Sequence, residues 1–249
     1  MFLALLLCIG NQLNAQSQEE EKKEKFKVGL SAGVNLNSVK QNLSNRVYSE
    51  YSGKNGIYLD VYGEYRFYGP LYVSAGIAYL KKDFEFKRTG DQYKGIFTDY
   101  NASYFDFPIS VGMYILNPDK IKGLKMQLGI GAYVGYWSSL KRSGVYPTLA
   151  GLRDNAGTNI LDLLPPYYVN DEKYDFEKNE NQLNRFDYGL QGGIKVLYGI
   201  SESLDISLGY DLFYGLSGIQ KKAKKANPLY HTSSIIKVGL AYRIGFGKS

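Results

Sequence analysis

The chain has one cysteine, one histidine and one tryptophan among its 249 residues. It also lacks any apolar run of the roughly 20 residues that a membrane-spanning helix requires. Each scarcity removes a class of chemistry. Cys8 falls in an N-terminal apolar stretch, and the rest of the chain offers no thiol for a disulfide, thiolate catalysis or a Cys-bound metal. No Asp-x-Asp-x-Asp-Gly loop is present for calcium. Gly129-x-Gly131 and Gly192-Gly193 sit in strand-like stretches, where glycine eases close packing, and not in phosphate loops. No metal and no cofactor is expected.

Residues 2–9 form a short apolar core, followed by Asn11-Gln12-Leu13-Asn14-Ala15-Gln16. This reads as an export signal cut after Ala15, although Leu13 departs from the small-x-small preference. Leu7 stands where a lipoprotein signal would place a small residue, which argues against lipidation of Cys8. Residues 16–25 are a charged lead-in, and residues 26–249 form one further unit.

What the sequence has in abundance is alternation. Phe26, Val28, Leu30, Ala32, Val34 and Leu36 take every even position, with Lys27, Gly29, Ser31, Gly33, Asn35 and Asn37 between them. Side chains of a strand point to opposite faces with period two, so this stretch has one greasy and one polar face. The pattern recurs in stretches beginning near Ile57, Leu71, Phe105, Leu124, Phe186, Leu204 and, most loosely, Ile236. Eight such strands, rich in Tyr (24) and Gly (28), are the signature of an antiparallel transmembrane β-barrel. A mean hydropathy of −0.29 agrees, because a barrel strand offers only half its residues to lipid.

The connections give independent support. Those at 38–56, 80–104, 137–185 and 215–235 are long, and those at 68–70, 117–123 and 199–203 are short. Long and short alternate, as extracellular loops and periplasmic turns do in outer-membrane barrels, which puts both termini in the periplasm. The expected fold is all-β: an eight-stranded antiparallel transmembrane barrel with long extracellular loops, in a bacterial outer membrane.

An eight-stranded barrel is just wide enough for side chains to fill it. The inward phase carries the cations Lys27, Arg66, Lys125, Arg185, Lys195, Lys237 and Arg243 and the anions Asp60, Glu64, Asp106, Asp187, Asp205 and Asp211. Tyr58, Tyr62, Tyr72, Tyr114, Tyr133 and Trp137 share the space. Near balance of sign reads as a salt-bridged plug, whereas an ion-selective pore would show a surplus of one sign. The candidate network is Asp60, Glu64, Arg66, Lys195, Asp211, Lys237 and Arg243. Lys27, Arg66, Lys125, Asp205 and Arg243 should lie near the periplasmic end, and Asp60, Glu64, Lys195, Asp211 and Lys237 nearer the middle. Pro108 removes a ladder donor and predicts a bulge or kink near the extracellular mouth.

Tyr104-Phe105-Asp106-Phe107-Pro108-Ile109 resembles the aromatic-x-acid-apolar-Pro motif of PorT-like outer-membrane β-barrels of Bacteroidetes-type bacteria. Phe186-Asp187-Tyr188-Gly189-Leu190-Gln191-Gly192-Gly193 and the stretch from Tyr210 through Tyr214-Gly215-Leu216 are similar to the same family. The likeness covers about 26–246 without the loops. It implies the same barrel architecture, and in some members a place in, or beside, a protein-secretion apparatus.

Other candidates lie in the loops. His231-Thr232-Ser233-Ser234 falls at the outer rim, where a histidine can activate a serine; a solvated loop histidine is the plainer reading. Asp171-Glu172 and Asp175-Phe176-Glu177 read as a solvated acidic stretch. Lys221, Lys222, Lys224 and Lys225 would meet lipopolysaccharide phosphates or an acidic partner, or else remain solvated. The third long loop, with Leu161, Leu163, Leu164, Tyr167 and Tyr168, is too apolar to be wholly solvated, and a loop without strands of its own is a place for specificity. The net charge of 30 − 24 = +6 fits phosphate-rich lipid surfaces or an acidic envelope partner, and nucleic acid does not suit an exported chain. The expected function is non-enzymatic: a structural or accessory subunit of an envelope or secretion complex, acting through its loops. The alternative is a narrow channel or small-solute transporter.

Overall fold

A computed structural model describes residues 25–40, 49–89, 96–145, 168–177, 183–219 and 229–244. Eleven strands appear among them: β1 (Phe26–Lys40), β2 (Ser49–Gly53), β3 (Asn55–Tyr68), β4 (Leu71–Lys81), β5 (Phe84–Arg88), β6 (Phe97–Leu116), β7 (Gly123–Val145), β8 (Tyr168–Lys173), β9 (Phe186–Gly199), β10 (Leu204–Gly215) and β11 (Tyr230–Ile244). Eight of these close a ring in the order β1-β3-β4-β6-β7-β9-β10-β11, every pair antiparallel. The seam joins the first and last strands, from Phe26 opposite Ile244 to Lys40 opposite Tyr230. Closure leaves this ring no free edge, the hazard of an open sheet.

The faces follow from the alternation. The even positions of β1 from Val28 onward are exposed, and Lys27, Ser31, Asn35 and Asn37 are buried. The same holds around the ring, with Val61, Ile109, Ile130, Leu190, Leu208 and Val238 outward. Such a belt would be an aggregation surface in water and is a lipid-facing surface in a bilayer. Aromatic side chains mark both borders. Phe26, Tyr65, Phe67, Tyr198 and Tyr242 lie toward the short-turn end, and the Tyr79–Phe105 and Tyr136–Phe186 pairs, each 5.5 Å apart, toward the other. At the short-turn end, Gly69 adopts a left-handed φ of 48° that lets β3 turn into β4.

The ring extends beyond the belt. β6 and β7 stay paired as far as Phe97–Val145, with β5 added to β6, β2 to β5, and β8 to β7. The long connections therefore contain strands of their own, contrary to the sequence reading; β8 lies within the third. Above the belt the outward positions become polar, as at Ser38 and Lys40 on β1, so the lipid pattern that reveals a strand stops before the strand does. No register shift marks the expected bulge at Pro108, and the irregularity it causes lies at mid-height and not at the mouth. The β4–β6 ladder breaks between Ala75↔Ile109 and Ala78↔Asp106 and resumes in the same register, while Pro108 stays opposite Tyr133 on β7. The proline lacks one donor toward β4, and the sheet absorbs the gap at mid-height, beside a lumen cavity.

Candidate functional site

Polar side chains from all eight ring strands meet in the lumen at three levels. At the short-turn end, the fully buried Asp205 accepts from Lys27 Nζ at 3.2 Å, from Lys125 Nζ at 2.6 Å and from the Arg243 guanidinium through both Nε and Nη2. Arg243 also donates to the carbonyls of Glu202 (2.9 Å) and Ile121 (2.7 Å), tying two turns to the barrel floor. Lys27 donates to the Tyr114 hydroxyl at 2.5 Å, which in turn donates to Glu64 at 2.6 Å, and Gln127 satisfies the rest of that carboxylate. Arg66 stands apart and bonds Pro118 O and the half-exposed Asp119.

At mid-height, Lys237 Nζ sits between Asp60 (2.7 Å) and Asp211 (2.8 Å), and the Tyr58 hydroxyl donates to Asp60 at 2.7 Å. Lys195 has no carboxylate within ion-pair distance among the described residues and lies 4.0 Å from the Tyr62 ring centroid. That geometry offers the ammonium a cation–π contact. These groups line a cavity of about 80 Å³ with Tyr72, Gln191 and Pro108. The Tyr62 ring lies so close over Gly29 that a β-carbon there would overlap it.

Nearer the long-loop end, Lys82 bridges Asp106 (3.0 Å) and Asp187 (2.9 Å), and Asp187 also accepts from Ser217 at 2.5 Å and Tyr133 at 3.3 Å. Burial acts against the Lys82 charge, yet Asp106 and Asp187 outweigh it and hold the ammonium above the usual lysine range. Lys82 lies outside the strands and escaped the sequence reading. It is inward because Asn35 donates to Lys81 O (2.7 Å), Asn37 donates to Asp83 O (3.0 Å) and Ala102 N–H donates to the Asp83 carboxylate (2.7 Å). Those bonds fold the β4–β5 connection into the mouth. The signal available was the inward Asn35 and Asn37, polar groups that need buried partners.

A hydrophobic cap fills the space above. Trp137 stacks on Tyr104 at 5.0 Å, Phe84 on Tyr100 at 4.4 Å, and Leu80, Leu140, Phe213, Ile219 and Leu229 close around them. His231 belongs to this cap. It is 2% exposed, edge-on to Phe84 and Tyr104, and neither ring nitrogen has a hydrogen-bond partner among the described residues. The solvated loop histidine of the sequence reading is thus a buried strand residue opposite Val39, and its ring nitrogens engage no serine. With no bond to lose, His231→Phe is expected to leave stability within about 1 kcal/mol or to raise it. A denaturant titration of the refolded barrel checks this, and a larger loss would reveal an unseen partner.

Lys221, Lys222, Lys224, Lys225 and Tyr167 lie outside the described residues, and of Tyr168 only the backbone is described, paired with Val145. Glu172 does not stay solvated alone: Arg142 Nη2 donates to it at 2.8 Å across the β7–β8 ladder.

No curated protein matches the chain. Among solved structures it is similar to the outer membrane protein OprG from Pseudomonas aeruginosa, 12% identical over 90% of this chain and 98% of that one, with a TM-score of 0.48. Neisserial surface protein A is 13% identical over 88% and 97%, with a TM-score of 0.46. The outer membrane protease OmpT from Escherichia coli is 11% identical over 89% and 97%, with a TM-score of 0.48. Residues 14–220 match the profile of the family described as outer membrane protein beta-barrel domain, a span that takes in every ring strand except the closing β11. The closed eight-strand ring, its apolar belt and this match agree: the chain is an outer-membrane β-barrel protein of the outer membrane protein beta-barrel domain family.

Proposed function

We propose that the barrel is a non-conducting, non-enzymatic scaffold acting through its extracellular surface, as a structural or accessory subunit of an envelope or secretion complex. The filled lumen is the observation that carries this reading. Three tiers of paired charge and an aromatic cap occupy the interior, and charges fixed in pairs are poor ion carriers. The PorT-like motifs favour the finer family placement. The short-turn end, where β1 begins and β11 ends, is taken as periplasmic, with residues 1–15 as a signal and 16–25 as a lead-in. Lipopolysaccharide and other envelope proteins are the partners this orientation brings within reach. The mid-height cavity, with Lys195 on its wall, favours one second reading, a narrow channel for a small solute.

Two experiments separate them. Purified barrel in planar bilayers is expected to give no discrete conductance; reproducible single-channel steps would establish the channel. Val145 and Tyr168 face each other across the β7–β8 ladder, so residues 146–167 can be replaced by an Asn-Gly turn without moving the strands. A stoichiometric envelope partner is expected to copurify with the native chain and to be lost from this variant. A barrel that comes out alone in both cases would remove the accessory role.

A further inference from the structure

The geometry points to a binding site for the phosphate of an outer-leaflet lipid at Arg185, in a crevice at the long-loop rim of the barrel; the inference rests on the orientation proposed above. The crevice measures about 390 Å³ and lies between β7 and the segment after β8, walled by Ser138, Ser139, Lys173, Phe176 and Arg185. Three observations converge on a lipid phosphate.

The first is an unmatched cation held in place. The Arg185 guanidinium carbon lies 4.8 Å from the Tyr136 ring centroid and 5.2 Å from that of Phe176. Its backbone carbonyl is fixed by Trp137 N–H at 2.8 Å. Its Nε is buried with no hydrogen-bond partner, and its side chain has no carboxylate in ion-pair range among the described residues. A planar guanidinium immobilised between rings has lost its side-chain entropy in advance and presents a fork suited to phosphate oxygens.

Level is the second. Tyr136 and Phe186, in ring contact at 5.5 Å, are the last aromatic residues of the lipid belt on β7 and β9, and Arg185 directly precedes Phe186. Beyond them the outward positions of β7 become Ser139 and Lys141. Arg185 therefore stands at the upper border of the lipid belt, its guanidinium against Tyr136 of that belt, the level at which headgroup phosphates lie in the proposed orientation.

The third is the state of the nearby acids. Asp175 and Glu177 also border the crevice, but the Asp175 carboxylate accepts from Glu177 N–H at 2.9 Å and Glu177 is exposed. Neither lies in ion-pair range of Arg185, and Lys173 adds an exposed ammonium to the same wall. A free anion from solution would have the same phosphate chemistry but would gain nothing from the adjoining apolar belt.

The test uses the full barrel in detergent micelles, titrated with bisphosphorylated lipid A and followed by native mass spectrometry. One lipid is expected to bind, with Arg185→Gln weakening it about tenfold or more, the scale of one or two charge-assisted hydrogen bonds. Arg185→Lys should recover part of the loss, and Ser139→Asp, which adds a negative charge to the wall without touching the ring stack, should weaken binding too. Dephosphorylated lipid A should bind no better to the native barrel than to Arg185→Gln. Equal binding of both lipids, no effect of Arg185→Gln, or full competition by millimolar inorganic phosphate would each overturn the assignment. Orientation is read separately: Lys141→Cys, exposed beside the crevice, in a Cys8→Ser background, should react with an impermeant maleimide on intact cells. Labelling only after lysis would place this rim in the periplasm and remove the outer leaflet as the source, whatever the titration gives.

Discussion

Barrels carrying Lys237→Glu are expected to lose the heat-modifiable folded band on a gel, or to unfold at a sharply lower denaturant concentration. Lys237 Nζ lies 2.7 Å from Asp60 and 2.8 Å from Asp211, with its side chain almost wholly buried. Reversal would place a third carboxylate between two others. Removing one partner of a buried pair costs about 3–5 kcal/mol, because the remaining charge stays desolvated, and reversal adds repulsion to that. Lys237→Met isolates the first part, since its thioether chain fills similar space without charge. Combining it with Asp60→Asn and Asp211→Asn should recover part of the loss, because neither carboxylate of the triad is then left unmatched. An unchanged unfolding midpoint for Lys237→Glu would mean that the mid-height triad carries no weight.

Asp205→Ala is the second substitution with a large expected effect. This carboxylate is shared by Lys27, Lys125 and Arg243, and its removal leaves three cations converging on an empty site. Glu64, 3.9 Å from Lys27, is too distant and too occupied by Tyr114 and Gln127 to replace it. A loss of about 3–5 kcal/mol is expected in a guanidinium titration of the refolded barrel. Arg66→Gln is the control. Its partner Asp119 is 49% exposed, and exposed ion pairs contribute about 1 kcal/mol or less. If both substitutions shift the midpoint equally, the Asp205 cluster is not what secures the short-turn end.

Both losses come from side chains whose inward phase is legible in the sequence. Period-two alternation places Asp60, Glu64, Asp205, Asp211, Lys237 and Arg243 on one face because lipid forces the other face to be apolar. That signal ends where lipid ends. β2, β5 and β8 are five or six residues long and lie above the belt, where the outward face can be polar. Tyr51 and Phe86 do pack there, 4.9 Å apart, but two aromatics do not make a readable period. Lys82 was illegible for a related reason. In Lys81-Lys82-Asp83 it looks like a solvated turn, and only hydrogen bonds from Asn35, Asn37 and Ala102, distant in sequence, carry it inside. His231 shares that history, since Thr232-Ser233-Ser234 has no greasy face to announce a strand. Arg185 has the inward phase of its strand but stands just before β9 begins, and its ring contacts are with Tyr136 and Phe176 at the rim.

The seam between β1 and β11 has a consequence for how the molecule is made. Phe26 pairs with Ile244, so the bonds that abolish the barrel's edges join the two ends of the chain. While β11 is still undelivered, β1 and β10 each present an unpaired row of backbone donors and acceptors next to an apolar face. Such a chain is a template for pairing with other chains, and the loop to be closed is nearly the full sequence. The ring is therefore complete only once β1 and β11 pair, and until that contact forms two strand edges stay open to pairing with other chains.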